Sequence, residues 1–224
     1  MSVITERRQA LAKELLHTTD GPCRVKLCGM FREQDIEAVN EAKPDFCGFI
    51  VNVPASHRSL STERAKTLAR EVGSGIFTVG VYVDETYENV CRDGREGCFD
   101  VIQLHGEEDE GYIERVRSRT DAPIIQAFQV RREQDVRSAN ESTADMVLLD
   151  SGQGTGREFD WSLLASVERP YILAGGLTPE NVGQVIRELH PWGVDMSSGL
   201  ETDRVKDPEK IRAAVAAVRS ANNA

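Results

Sequence analysis

The sequence predicts an α/β fold: a single-domain (β/α)8 barrel with one extra helix at its N-terminal end. Three observations predict it. Apolar runs of strand length recur eight times, near 24–28, 45–50, 76–83, 99–104, 123–127, 146–149, 170–173 and 193–197. Amphipathic stretches lie between them, for example at 61–71, 108–119 and 179–188, and another follows the last at 207–219. The 224 residues show no composition shift and no Pro/Ser-rich linker, which suits one core of that size. A doubly wound sheet is the other α/β solution, but eight units ending in a helix favour closure. Active residues then belong on the loops that follow the strands.

The elements can be justified in order. Ile4, Leu11 and Leu15 recur at helical spacing among charges, so an amphipathic helix is expected within 2–17, covering the N-terminal mouth of the barrel. The extension is taken as residues 1–20 and the barrel as 21–224. Ser61 before Glu63-Arg64-Ala65 marks a helix start. Thr178-Pro179-Glu180 and Asp207-Pro208 put proline at a first helical position. Alternate strand residues face opposite sides. If Cys28 faces the barrel interior, so do Lys26 and Arg24, while Val25 and Leu27 face the helices. By the same parity Asp150, Leu148 and Met146 share a face, as do Ser197, Asp195 and Gly193, and likewise Gln103 and His105. The first and eighth strands of a closed barrel are neighbours, so Lys26 and Asp195 are expected to meet inside it.

Composition narrows the partners. The net charge of −10, without a basic block, disfavours nucleic acid, although a local site can still hold a small anion. No apolar run approaches the roughly 20 residues of a bilayer span, and the charged N-terminus lacks a signal-peptide core. Five cysteines, odd in number and without a CxxC pair, suggest neither a disulfide framework nor a zinc site. A reducing, cytoplasmic location is expected, with no membrane partner.

Val25-Lys26-Leu27-Cys28-Gly29 puts a lone cysteine where a strand gives way to a loop. A thiol there can move a proton if an acid answers it, and Asp150, ending Met146-Val-Leu-Leu-Asp150, can be that acid. Such a pair suits an isomerisation that needs neither metal nor redox cofactor. The plainer alternatives are a small buried hydrophobe for Cys28 and a turn or capping residue for Asp150. Lys26 on the Cys28 face favours catalysis, because a nearby cation lowers a thiol pKa. Asp150 would need the opposite shift, raised by burial.

Two glycine turns, Ala174-Gly175-Gly176-Leu177 and Ser197-Ser198-Gly199-Leu200-Glu201, follow the seventh and eighth strands. Small residues there let backbone N–H groups approach an anion, at the usual phosphate position of a barrel. Tight turns alone would also use glycine, but their joint position favours phosphate. The loop Ser151-Gly-Gln-Gly154-Thr-Gly156 is a flexible connection or a lid, matching neither a Walker loop nor a dinucleotide fingerprint. Arg58, after the second strand, is either a solvated loop residue or a carboxylate clamp. His105 has no carboxylate beside it in sequence, so a structural or substrate-positioning role is favoured over acid–base work. Glu107-Glu-Asp-Glu110 reads as a helix N-terminal turn.

Together these pieces resemble the phosphoribosylanthranilate isomerase family over residues 24–219. The ordered motifs are Lys26-Leu-Cys28-Gly29; Ser56-His-Arg58; Val79-Gly80-Val81-Tyr-Val83; Gln103-Leu-His105-Gly106; Leu149-Asp150-Ser151; Gly154-Thr-Gly156-Arg-Glu-Phe159-Asp160-Trp161; Leu173-Ala-Gly-Gly-Leu177-Thr-Pro-Glu-Asn181; and Gly193-Val-Asp195-Met-Ser-Ser-Gly199-Leu-Glu201. The resemblance implies a TIM barrel and an Amadori rearrangement of tryptophan biosynthesis. N-(5-phosphoribosyl)anthranilate would become 1-(o-carboxyphenylamino)-1-deoxyribulose 5-phosphate, without a cofactor.

It also implies Cys28 as general base, Asp150 as general acid and Arg58 on the anthranilate carboxylate. The phosphate falls to backbone groups at Gly175, Gly176, Ser198 and Gly199, with the 152–156 loop, Gly154 included, closing over it. Gln103, His105 and Asp195 are expected to contact the substrate. Histidine-pathway isomerases, the nearest rivals, carry an aspartate where this chain has Cys28. A non-catalytic phosphate-binding barrel would have little use for Cys28 and Asp150 together. The expected partner is the small substrate, with the chain as a monomer or homodimer.

Overall fold

In the computed structural model the described residues are 3–152 and 161–223. Helix α1 (Val3–His17) precedes eight strands: β1 (Arg24–Cys28), β2 (Phe46–Val51), β3 (Phe77–Tyr82), β4 (Val101–Leu104), β5 (Ile124–Gln129), β6 (Met146–Asp150), β7 (Tyr171–Ala174) and β8 (Gly193–Met196). Neighbours pair in parallel all the way round, and β1 pairs with both β2 and β8. The eight strands therefore close into a TIM barrel, and a two-residue strand, Ser59–Leu60, adds in parallel to the end of β2.

The strands alternate with α2 (Glu33–Ala42), α3 (Thr62–Arg70), α4 (Tyr87–Glu96), α5 (Glu110–Arg117), α6 (Glu133–Glu141), α7 (Val182–Leu189) and α8 (Pro208–Ala221). Between β6 and β7 the described connection holds a 3-10 segment, Trp161–Ser166.

Strand alternation sorts two apolar shells. Val25, Leu27, Ile102 and Leu104 join the layer between sheet and helices. Cys28, Phe46, Val79, Ile125, Met146 and Leu148 fill the barrel interior. The parity read from the sequence holds on β1, β4 and β6.

Helix starts follow local chemistry. Ser61 caps α3, its side chain accepting from Arg64 N–H, and Asp207 caps α8 by accepting from Glu209 N–H at 2.9 Å. Asp109 likewise caps α5, accepting from Tyr112 N–H at 2.8 Å. The expected start at Pro179 is displaced. Thr178–Asn181 form a turn first, and α7 begins at Val182. Asn181 explains the delay, because its side chain accepts from Thr178 N–H at 2.8 Å and donates to Gly176 O at 3.0 Å. A side chain spent on closing that turn holds the chain out of helix.

Helix α1 covers the N-terminal mouth, as expected, but with a different face. Leu11 is 46% exposed, whereas Gln9, Ala12 and Leu16 are buried. The i, i+3, i+7 stripe through small Ala12 lets the helix approach the barrel interior closely, where Ala12 and Leu16 pack with Phe46 and Trp192. Leu15 is partly buried against the same cluster, and the Ile4 side chain lies outside the described residues. Polar contacts fix the helix: Arg8 pairs with Asp100 at 2.7 Å, and Gln9 donates to Gly94 O at 3.0 Å. Among the described residues no helix is long and apolar enough to cross a membrane.

Candidate active site

The β1–β8 register sets Lys26 opposite Asp195, and the two form an ion pair of 3.0 Å. Cys28 follows on the same face and is 6% exposed. Its neighbour across β1–β2 is Gly48, where a Cβ would come within 2.9 Å of the thiol Sγ and 3.2 Å of Lys26 Nζ. The glycine leaves room for both groups. Burial pushes the Cys28 thiol above its usual pKa; Lys26 pulls it down and Asp195 pushes it up again. Lys26 lowers the pKa as expected, but the net shift is upward, because desolvation outweighs a cation that is itself paired. Lys26 stays cationic, since against its burial Asp195 and Cys28 raise its pKa.

Asp150 ends β6 at the same rim. Its Oδ1 accepts from Gly152 N–H at 2.8 Å, and its Oδ2 lies 3.5 Å from His105 Nε2. The other ring nitrogen of His105 is 3.0 Å from the Gln103 amide, which is wholly buried in the barrel. So a carboxylate does face His105, brought by β6 rather than by its own neighbours in sequence. Burial favours the neutral Asp150, but hydrogen bonds from His105 and Gly152 and the charge of His105 outweigh it, and the pKa is lowered. This reverses the expected raising.

The two glycine turns meet. Gly175 has φ +97° and Gly176 φ +60°, conformations that favour glycine. A Cβ at Gly175 would lie 2.1 Å from Ser151 Oγ and 2.9 Å from Asp150 Oδ1, so this turn packs against the aspartate. A Cβ at Gly199 would lie 2.1 Å from Leu177 O, so the turn after β8 touches the turn after β7. Ser198 and Gly199 open a single 3-10 turn. Among the described residues the N–H groups of Gly175 and Gly176 make no hydrogen bond. Gly154 lies outside the described residues.

Arg58 reaches the rim from the loop after β2. A Cβ at Gly29 would fall 2.5 Å from Arg58 Cδ, so the arginine shaft crosses the chain beside Cys28. Its guanidinium is held by Glu201: Nε donates to Oε1 in a short contact and Nη2 to Oε2 at 2.9 Å. Lys206, fully buried, donates to Glu201 Oε1 at 3.0 Å and to Ser197 O at 2.9 Å.

The chain that carries these groups has relatives along most of its length. The family model for N-(5'phosphoribosyl)anthranilate (PRA) isomerase matches residues 25–217. The chain belongs to this family. A phosphoribosylanthranilate isomerase of Endomicrobium trichonymphae is 37% identical over 202 residues, covering 88% of this chain and 98% of that protein. Among solved structures, monomers of the dimeric isomerase of Thermotoga maritima superpose with TM-score 0.77 at 32% identity, over 88% of this chain and 99% of that one. An isomerase in complex with reduced 1-(o-carboxyphenylamino)-1-deoxyribulose 5-phosphate gives 0.76 and 32%, with the same coverage.

As an isomerase of this family, the chain gathers Cys28, Lys26, Asp195, Gln103 and Asp150 on inward-facing strand positions, with His105 just past the end of β4 and Arg58 and the glycine turns on the loops. Sequence reasoning left two groups without a role. Glu201 closed a motif but had no function assigned, and Lys206 was not singled out at all. Its signal is faint: an antiparallel pairing of two-residue strands, Glu201–Thr202 with Val205–Lys206, sets the lysine opposite the glutamate.

Proposed function

We propose that Cys28 and Asp150 carry the two proton transfers of this isomerase. The reaction converts N-(5'-phosphoribosyl)anthranilate to 1-(o-carboxyphenylamino)-1-deoxyribulose 5-phosphate. Asp150, in its protonated form, donates to the ribose ring oxygen; the C1–O bond breaks and C1 becomes a Schiff base with the anthranilate nitrogen. The Schiff base acidifies the C2 proton, which the Cys28 thiolate removes. The enolamine then loses its O2 proton and gains one at C1, giving the ketone. Each turnover leaves Cys28 as thiol and Asp150 as carboxylate. That is the form their surroundings favour at rest, with burial raising one pKa and His105 and Gly152 lowering the other. Returning one proton from thiol to carboxylate restores the active form without changing the net charge.

Arg58 takes the anthranilate carboxylate as a guanidinium fork. The N–H groups of Gly175, Gly176, Ser198 and Gly199, with Gly154, take the phosphate. Gln103 and His105 set the orientation of Asp150 and, with Asp195, line the substrate. The chain acts on this small molecule as a monomer or homodimer, without nucleic acid or membrane. Its five free cysteines suit a reducing cytoplasm.

The observation that carries this reading is the placing of Cys28 and Asp150 on the interior face of β1 and β6, at the ends that open to the glycine turns. Turnover, followed as loss of substrate fluorescence, tests it. Cys28→Ser and Asp150→Asn should each lower kcat by about 10²-fold or more with the fold intact. Near-normal rates in both would leave the isomerase activity standing and remove Cys28 and Asp150 from its proton transfers.

A further inference from the structure

We propose that Glu201 is a positioning residue: it grips one edge of the Arg58 guanidinium and thereby presents the other edge to the carboxylate of the substrate. This rests on the reading that Arg58 binds that carboxylate. An arginine has five N–H donors in a planar fork. Glu201 consumes the side edge, Nε and Nη2. The end edge, made of Nη1 and the second N–H of Nη2, has no hydrogen bond among the described residues. It has the spacing for a second bidentate carboxylate. Arg58 can therefore hold Glu201 and a substrate carboxylate together, with no exchange of partners.

The surroundings hold Glu201 in place for that role. Its side chain is 7% exposed, and Lys206, fully buried, meets Oε1 from the other side at 3.0 Å. His57 Nε2 lies 3.4 Å from Oε2. Lys210 Nζ donates to the Glu201 backbone carbonyl at 2.6 Å, fixing the chain beneath it. Burial opposes the charge, yet Arg58 and Lys206 hold the Glu201 carboxyl down at about 2. Burial pushes the Lys206 pKa down and Glu201 pushes it back up, so the lysine depends on this carboxylate as much as Arg58 does. Arg58 itself crosses the chain at Gly29, beside Cys28, where its free edge can meet a substrate.

The test compares two probes on the full-length chain. One is the reduced product analogue, which carries the carboxylate; the other is the same molecule without it. In the wild type the first should bind more tightly. Glu201→Gln should cut that preference by about tenfold, the loss of one charge-assisted contact, and leave binding of the probe without the carboxylate unaltered. Glu201→Asp, which withdraws the carboxylate by one methylene, should cut it in the same direction and serves if the glutamine variant does not fold. Arg58→Ala should abolish the preference, and adding Glu201→Gln to it should change nothing further. Lost preference in Arg58→Ala with wild-type preference in both Glu201 variants overturns the inference alone. Retained preference in Arg58→Ala overturns the carboxylate reading and the inference with it. Equal weakening of both probes by the Glu201 variants assigns Glu201 to structure only and also overturns it.

Discussion

Lys26 on β1 and Asp195 on β8 form a 3.0 Å ion pair inside the barrel, two residues before Cys28 on the same face. The pair governs how much help the thiol receives. Burial favours the thiol most strongly; Lys26 pulls towards the thiolate, and Asp195 opposes that pull. A cation already neutralised by its neighbour is a weak activator. In the proposed division of roles Cys28 therefore rests as a thiol and is activated by passing a proton to Asp150.

Lys26→Met should destabilise the fold by about 3–5 kcal/mol, because it strands Asp195 as an uncompensated buried charge. Urea unfolding measures this. A loss within about 0.5 kcal/mol, the usual size of a surface substitution, would mean that the pair is not buried as described.

The pH dependence of kcat/KM follows from the one-proton pair. When both groups are protonated there is no base, and when both are ionised there is no acid. The Asp150 pKa is lowered, so activity should fall on the acid side only below the usual carboxylate range, near pH 3.9. The Cys28 pKa is raised, so activity should fall on the alkaline side only above the usual thiol value, near pH 8.5. A plateau across neutral pH is the expected result. A bell narrower than the interval between those ordinary values would contradict it.

Gly175→Ala should damage both stability and rate. The added Cβ would meet Ser151 Oγ at 2.1 Å and Asp150 Oδ1 at 2.9 Å, at a backbone φ of +97°. Such backbone strain costs about 1–3 kcal/mol, and displacement of the acid should lower kcat as well as weaken phosphate binding. Thermal unfolding and steady-state kinetics would show both effects. A variant with normal kcat would separate this turn from Asp150.

Acid should weaken the fold through Glu201. Its pKa falls from 4.5 unfolded to about 2 folded, so its stabilisation is full above the unfolded value and is lost as pH drops from 4.5 through about 2. Stability measured across that window should decline less steeply in Glu201→Gln. Identical slopes would place the Arg58 and Lys206 contacts in solvent.

Much of this was legible in the chain, because period-two apolar runs fix which residues face the interior. Lys26, Cys28, Asp150 and Asp195 follow from parity and closure alone. What parity cannot supply is the balance of fields around a group. The Cys28 and Asp150 shifts were expected with the wrong sign because burial, Asp195 and the His105 contact act across strands distant in sequence. Leu11 misled for a related reason: the barrel mouth, not the helix, decides which stripe of α1 is covered. Lys206 left almost no trace, since its role comes from facing Glu201 across a two-residue pairing.

The division of labour between Cys28 and Asp150 is tested most directly with substrate deuterated at C2. If Cys28 removes that proton, Cys28→Ser makes its removal limiting, and the residual rate should show a normal primary isotope effect. Asp150→Asn makes ring opening limiting and should show almost none. The reverse pattern, an isotope effect in Asp150→Asn and none in Cys28→Ser, would contradict the assignment of base and acid.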